Sequence, residues 1–260
     1  EKQKPPNLFV HDNGLLYTDG TTVAATWMNA TENRQPITPR TGYIVEFNAL
    51  WYNALCFGAK IASAMGDNSV ADRLAYRASH TGSAFVNNFW NGTYLYDYID
   101  GAYRDVEVRP NMIFAVSLPY SPLDAKQQKS VLDIITRELL TVKGLRSLSP
   151  KSGMYRPNYV GGMYERNHNY HNGPVWPFLS GAYADAYMKV YKNSAAQFLR
   201  RFFAGYENEL TELTVGTLSE LYDGNPPFKG HGGMSYAPTV AEILRIVRII
   251  NNENNDTQQR

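Results

Sequence analysis

Apolar residues return with helical spacing along most of the chain. Over residues 43–65 they fall at Ile44, Phe47, Trp51, Ala54, Leu55, Gly58, Ile61, Ala62 and Met65, which predicts a long helix with one inward face. The same spacing predicts helices over 69–89, over 173–191, over 195–210 behind Ser194 as a cap, and over 124–140 with Val131, Leu132, Ile135 and Leu139 inward. A last helix opens on Thr239-Val-Ala-Glu242, a capping box in which each side chain satisfies the other residue's exposed backbone N–H. It turns Val240, Ile243, Leu244, Val247 and Ile250 inward, and residues 251–260 follow as a polar, frayed tail.

Between the helices lie long polar connections rich in Gly and Pro, at 13–42, 91–109, 147–172 and 214–238. Loops of that length are uncommon in a compact domain unless they carry function. Here they hold most of the Arg, Asn, Glu, Trp and Tyr side chains able to touch a ligand. Helical hairpins with elaborate loops at one end predict an all-α fold, a toroid of paired helices with its site at the loop-bearing mouth. Residues 1–250 read as one such domain, and a short strand within 93–99 leaves that class unchanged.

Composition narrows the chemistry. With 43% hydrophobic residues, a chain of 260 buries a substantial core, and a net charge of +1 gives neither a nucleic acid nor an anionic membrane an electrostatic handle. No apolar run approaches the roughly 20 residues that span a bilayer, and the opening Glu-Lys-Gln-Lys-Pro-Pro has no apolar core of a signal peptide. Cys56 is alone and sits in an apolar helical stretch as a small core residue, which suits a reducing, cytoplasmic setting. Five histidines, at 11, 80, 168, 171 and 231, are scattered, and the His168/His171 pair lacks the third ligand that a zinc site needs, so no metal and no cofactor are expected. The informative bias is aromatic: 19 Tyr, 11 Phe and 4 Trp offer flat apolar faces with polar tips, which suit the C–H faces and hydroxyls of sugars as well as a tyrosine-rich core.

Residues 36–40, Pro-Ile-Thr-Pro-Arg, form a rigid loop that delivers Arg40 to a helix start, and that helix carries Glu46 and Asn53 seven residues apart on one face. The arginine, carboxylate and amide either grip sugar hydroxyls together or leave an Arg–Glu pair closing the loop. Thr-Trp-Met-Asn-Ala at 26–30 and Thr-Pro-Arg-Thr-Gly-Tyr-Ile-Val-Glu-Phe-Asn-Ala-Leu-Trp-Tyr-Asn-Ala-Leu at 38–55 resemble the amylo-α-1,6-glucosidase region of glycogen debranching enzymes. Three later segments agree in order: Arg-Pro-Asn-Met-Ile-Phe-Ala-Val-Ser-Leu-Pro at 109–119, Tyr-Glu-Arg-Asn-His-Asn-Tyr-His-Asn-Gly-Pro-Val-Trp-Pro at 164–177, and Gly-Thr-Leu-Ser-Glu-Leu-Tyr-Asp-Gly at 216–224 leading into Val240-Ala-Glu-Ile-Leu-Arg245.

The resemblance implies an (α/α)6 toroid, hydrolysis with inversion of the single glucose left at an α-1,6 branch stub, no metal, and a branched α-glucan as partner. Roughly seven or eight helices are legible, fewer than six hairpins require, so the chain reads as the C-terminal two-thirds of a barrel whose open seam would let copies associate. Inversion needs two carboxyl groups about 6.5–9.5 Å apart, one an acid and one a base that activates water. By motif match the base is Glu220. In the family's pattern the acid is an aspartate after Thr-Trp-Met, and here that position is Asn29. An amide donates no proton, so the general-acid contribution of about 10²–10⁴ in rate cannot run through it. Either another carboxyl group substitutes (Glu46 or Glu165, with Asp97 and Asp100 behind them), or the protein binds α-glucan without cleaving it, or the asparagine is an engineered change that traps substrate. The same matches cast Arg40, Asn53, Arg109, Asn111 and His171 as pocket residues and Trp27, Trp51 and Trp176 as stacking platforms, with Trp90 left to the core. The segment 229–238 departs from the family's pattern.

Overall fold

The computed structural model describes residues 8–213 and 215–258; the readings made on residues 1–7 and on the final two positions lie outside it. The chain divides into two compact units. One takes the chain up to Glu107 together with Phe114–Val131, and the other takes Val108–Ile113 and the chain from Leu132 onward.

The first unit begins with β1 (Leu8–Val10), β2 (Leu16–Thr18), the two-stranded ribbon of β3 (Thr31–Glu32) and β4 (Gln35–Pro36), and β5 (Gly42–Ile44). It continues through α1 (Val45–Ala64), α2 (Asn68–Phe89), β6 (Tyr98–Asp100), β7 (Tyr103–Arg104) and the single turn α3 (Phe114–Ser117). The antiparallel sheet runs β1-β2-β5-β6-β7, with Thr18 opposite Gly42 and Ile44 opposite Tyr98. Gly42 is obligatory there: its φ is +94°, and a Cβ would collide with the Ile99 carbonyl oxygen on the neighbouring strand. We therefore expect Gly42→Ala to cost about 2–3 kcal/mol from strain and overpacking, read as a lower midpoint in urea; an unchanged midpoint would refute the close contact.

The α1–α2 hairpin turns at Gly66 (φ +82°), whose N–H returns to the Ser63 carbonyl, and α2 starts on Asp67, whose side chain accepts from the Val70 N–H. A Cβ on Gly58 would press on Leu74 and one on Gly82 on the Tyr52 ring, so the two helices approach where side chains are smallest. The face of α1 that is buried carries Val45, Ala49, Leu55 and Ala62, with the polar Glu46 and Asn48 among them. Ile61 and Met65, expected inward, are exposed along with Leu50, Ala54 and Phe57. Apolar residues lie on both sides of this helix, so periodicity alone could not choose its buried face.

The division between the units falls within α4 (Ala125–Glu138), which buries Val131, Leu132 and Ile135 as its spacing predicts. The second unit then takes β8 (Leu140–Thr141), β9 (Gly144–Arg146), α5 (Met163–Asn169), β10 (Val175–Trp176), α6 (Ser180–Tyr191), α7 (Ala195–Ala204), α8 (Glu209–Glu212), β11 (Leu221–Tyr222), β12 (Gly230–His231) and α9 (Ala237–Gln258). Its antiparallel sheet runs β12-β11-β10-β9-β8. Ala184, Leu199, Phe202, Tyr206, Leu218, Ile243, Ile246 and Ile250 pack α6, α7 and α9 into one core. Beside β8, Glu138 accepts from Ser149 Oγ and Lys151 Nζ, both at 2.8 Å; although burial raises its pKa, these partners bring it below the usual 4.5. A depressed carboxylate stabilises the fold above its unfolded pKa and loses that contribution as pH falls through the folded value. Glu138→Gln should therefore flatten the fall in stability below pH 4.5, measured as urea midpoints along an acid series; an unaltered fall would show the pairing to be without weight.

The all-α toroid is overturned. Among the described residues strand makes up about 13% and helix about 49%, and the strands are organised into three antiparallel sheets. They are two or three residues long, too short for a period-two signal, and most lie in the connections at 13–42, 91–109 and 214–238, whose backbone groups pair with one another. Other boundaries move for local reasons. Over 173–191, Pro174 and Pro177 delay the helix until Ser180. Over 195–210, α7 ends at Gly205, where a Cβ would strike the Val142 carbonyl. The capping box does not form: α9 starts at Ala237, Thr239 is fully buried with its hydroxyl unbonded, and Glu242 accepts from Arg245. Helix α9 also continues through the first eight residues of the expected tail.

Candidate active site

In the first unit the Pro-rich loop buries Arg40 against two carboxylates. Its Nε and one terminal nitrogen donate to the Asp97 carboxylate at 2.7 and 3.0 Å, and its terminal nitrogens also donate to both oxygens of Glu46, one at 2.7 Å and the other shorter. Arg40, Glu46 and Asp97 are 2%, 3% and 2% exposed. Burial disfavours the charged guanidinium, but Asp97 and then Glu46 more than compensate and hold its pKa above the ordinary value. For Glu46, burial pushes the pKa up and Arg40 opposes it, leaving a net rise. Both oxygens of the Glu46 carboxylate accept from Arg40, so an Arg–Glu pair closes the loop, with Asp97 as its third member.

Other first-unit candidates are placed differently. Trp51 is half-buried and its Nε1 donates to the Gly14 carbonyl at 3.1 Å, while the Asn53 side-chain oxygen accepts from the Tyr120 N–H at 3.2 Å. Met28 is a core pin, 1% exposed, between half-buried Trp27 and exposed Asn29.

The second unit centres on Glu220, in the loop just before β11. One carboxylate oxygen accepts from the Tyr170 hydroxyl through a short hydrogen bond, and the other accepts from the Gly233 N–H at 2.8 Å. The Glu220 N–H in turn donates to the Gly233 carbonyl at 2.9 Å, so the two loops are clamped around the carboxylate. Gly232 lies against that carboxylate at a φ of +74°, where any Cβ would displace it. Burial and then the bonded carboxylate drive the Tyr170 hydroxyl far above its usual pKa, so it stays a protonated donor. Tyr236 is raised by burial and by the Glu220 charge as well.

Aromatic rings back this arrangement. Trp176 is 3% and His171 1% exposed; their rings stack at 5.3 Å, and both rings also lie against Tyr170. The Trp176 Nε1 donates to the Tyr170 carbonyl at 3.0 Å. Arg109, also buried, donates to the carbonyls of His171 and Ser147 at 2.7 and 3.1 Å and to the Asn172 side-chain oxygen at 3.0 Å, which fixes the loop carrying Tyr170. Asn111 is fully buried in the adjoining turn at Pro110–Ile113. In front stands half-buried Tyr159, 5.4 Å from the Tyr170 ring, whose N–H is held by Asp223 at 2.8 Å; Asp223 pairs with His231 at 3.0 Å. Glu165 is exposed in the first turn of α5, its side chain lying over Gly161 and Gly162.

The structure thus gathers His171, Trp176, Arg109 and Glu220 in one region. Sequence reasoning missed Tyr159, Tyr170, Asp223 and Tyr236, for which the tyrosine excess was the one available signal. A half-buried carboxylate with fixed donors and aromatic walls can orient a hydroxylated ligand and accept a proton from water. Among the described residues no three of His, Cys, Asp and Glu converge as metal ligands, and no helix is long and apolar enough to cross a membrane.

The family described as Amylo-alpha-1,6-glucosidase matches residues 7–245, and the chain belongs to it. It is 24% identical over 227 residues to the glycogen debranching enzyme of Saccharomyces cerevisiae. That match covers 70% of this chain and 15% of the yeast protein, so the chain spans a minor part of its relative's length.

Proposed function

We propose, on the premise of that family membership, that the protein hydrolyses α-1,6-linked glucose at the branch stubs of a glycogen-like α-glucan, with inversion and without a metal. The observation that carries the reading is Glu220: a half-buried carboxylate held by the Tyr170 hydroxyl and the Gly233 N–H, facing solvent through a tyrosine-rich region. In this role Glu220 takes the proton of the attacking water as that water bonds to the anomeric carbon. Its two fixed donors keep it oriented while Trp176, His171 and Arg109 support Tyr170 from behind. Trp27, with Trp51, remains a candidate sugar platform.

The leaving oxygen needs a proton that Asn29 cannot give. Burial of Glu46 to 3% exposure against the Arg40 guanidinium disfavours it, and the exposure of Glu165 favours Glu165 as the substitute acid. Asn29 itself favours a second reading, an inactive module that binds α-glucan. Self-association was expected through the open edge of a toroid and is set aside with that fold.

Asn29→Asp in the full-length protein separates these readings. If the side chain merely occupies the acid's place, glucose release from a branched limit dextrin should rise by about 10²-fold, with a new alkaline limb in its pH profile. A fall in rate would show that the acid has been rebuilt elsewhere, with Glu165→Gln the next variant, and continued absence of turnover would establish the binding module.

A further inference from the structure

The first unit carries a cleft that shares only Trp51 with the reading above. It lies between the turn after β1 and the exposed edges of α1 and α2, and has a volume of about 370 Å³, within the range of ligand clefts. His11, Asp12, Trp51, Tyr76, Arg77 and His80 line it. A second cleft of about 470 Å³, which reaches Asn13 and Tyr43, shares His11 and Asp12 with it.

The floor of this groove is rigid. The Gly14 carbonyl accepts from both Trp51 Nε1 and Thr81 Oγ1, at 3.1 and 3.0 Å, which locks the indole against the turn. His11 stacks on Tyr17 at 4.8 Å and bonds the Tyr43 hydroxyl at 2.9 Å. The rim is chemically uncommitted: among the described residues no hydrogen bond or ion pair engages the side chains of Asp12, Arg77 or His80, and the Tyr76 ring is 75% exposed. On α2, His80 lies four residues from Tyr76 and three from Arg77, so it neighbours both on the helix surface.

We propose that this groove binds a linear α-linked glucan segment, as a second carbohydrate site built by the first unit alone. One carboxylate, one guanidinium and imidazoles supply both acceptors and donors and ask for no net charge on the ligand, which fits a neutral polyol and disfavours a polyanion. Indole and phenol faces suit the apolar faces of pyranose rings. With a volume of about 370 Å³ and a second cleft that shares two of its residues, the site suits a chain of sugars better than one residue. The choice of α-glucan rests on the debranching reading.

Affinity electrophoresis in gels containing glycogen tests the proposal, comparing the unaltered protein, Glu220→Gln, Tyr76→Ser/Arg77→Ala, and His80→Ala. Because the altered groove residues are exposed, thermal midpoints should agree and rule out misfolding. The expected result is retardation of the unaltered protein and of Glu220→Gln, with apparent affinity about tenfold weaker in the double variant, the loss of one good charged hydrogen bond. Equal retardation of all four proteins would overturn the groove while leaving the debranching reading intact. Absence of retardation for the unaltered protein, or retardation by dextran sulfate in place of glycogen, would overturn it as well. The debranching reading itself falls only if limit-dextrin hydrolysis also fails.

Discussion

Replacing Arg40 by methionine should destabilise the protein by about 3–5 kcal/mol, because it strands the Glu46 and Asp97 carboxylates in an interior where each is about 3% exposed or less. Against a total stability that is typically about 5–15 kcal/mol, that loss should bring the first unit close to unfolding. The guanidinium makes bidentate contact with both acids. Arg40→Lys should recover little, since a single ammonium cannot span two forks. By contrast, replacing all three residues by apolar ones of similar volume should cost far less, because no unpaired charge remains. Urea denaturation followed by circular dichroism reads these differences. A midpoint for Arg40→Met equal to that of the unaltered protein, with weakened glucan binding, would instead make Arg40 a sugar ligand.

Replacing Glu220 by glutamine should abolish glucose release from a branched limit dextrin by the full-length protein, with a fall of at least about 10³-fold, or about 4 kcal/mol of transition-state stabilisation. Glutamine has the same shape. Its carbonyl oxygen can still accept from the Gly233 N–H, and its amide can donate to the Tyr170 oxygen, so the loop clamp should survive. What is lost is the capacity to take a proton. Substrate affinity should therefore stay within a few-fold of the unaltered value while kcat collapses. A near-normal kcat would remove Glu220 from the mechanism, and a collapse in affinity with unchanged kcat would make it a binding residue.

The long helices were legible because helical spacing of apolar residues survives over about 20 residues, although in α1 it did not pick out the buried face. The sheets were not, since no strand exceeds three residues among the described ones and the pairings β2–β5, β5–β6, β9–β10 and β10–β11 join distant segments. Gly42, which pairs with β2 on one side and packs against Ile99 on the other, is such a junction. The link between Arg40 and Glu46 could be read from their spacing, but Asp97, 57 residues further on, joins them only through the β5–β6 register. Glu220 was reachable through motif resemblance, and nothing in its local sequence announces that Tyr170, 50 residues earlier, would hold it. Arg109 is a parallel case. Its motif cast it as a pocket residue, and no local pattern foretold that it would also donate to the carbonyls and amide of the loop that carries Tyr170.

The central claim, inverting hydrolysis of an α-1,6 stub, is tested most directly by following a branched limit dextrin with the full-length protein by proton NMR from the first minutes. The account predicts that the α-1,6 anomeric resonance disappears while α-1,4 resonances persist, and that free glucose emerges first as the β-anomer. An α-1,6 resonance that never changes, or glucose emerging first as the α-anomer, would contradict it.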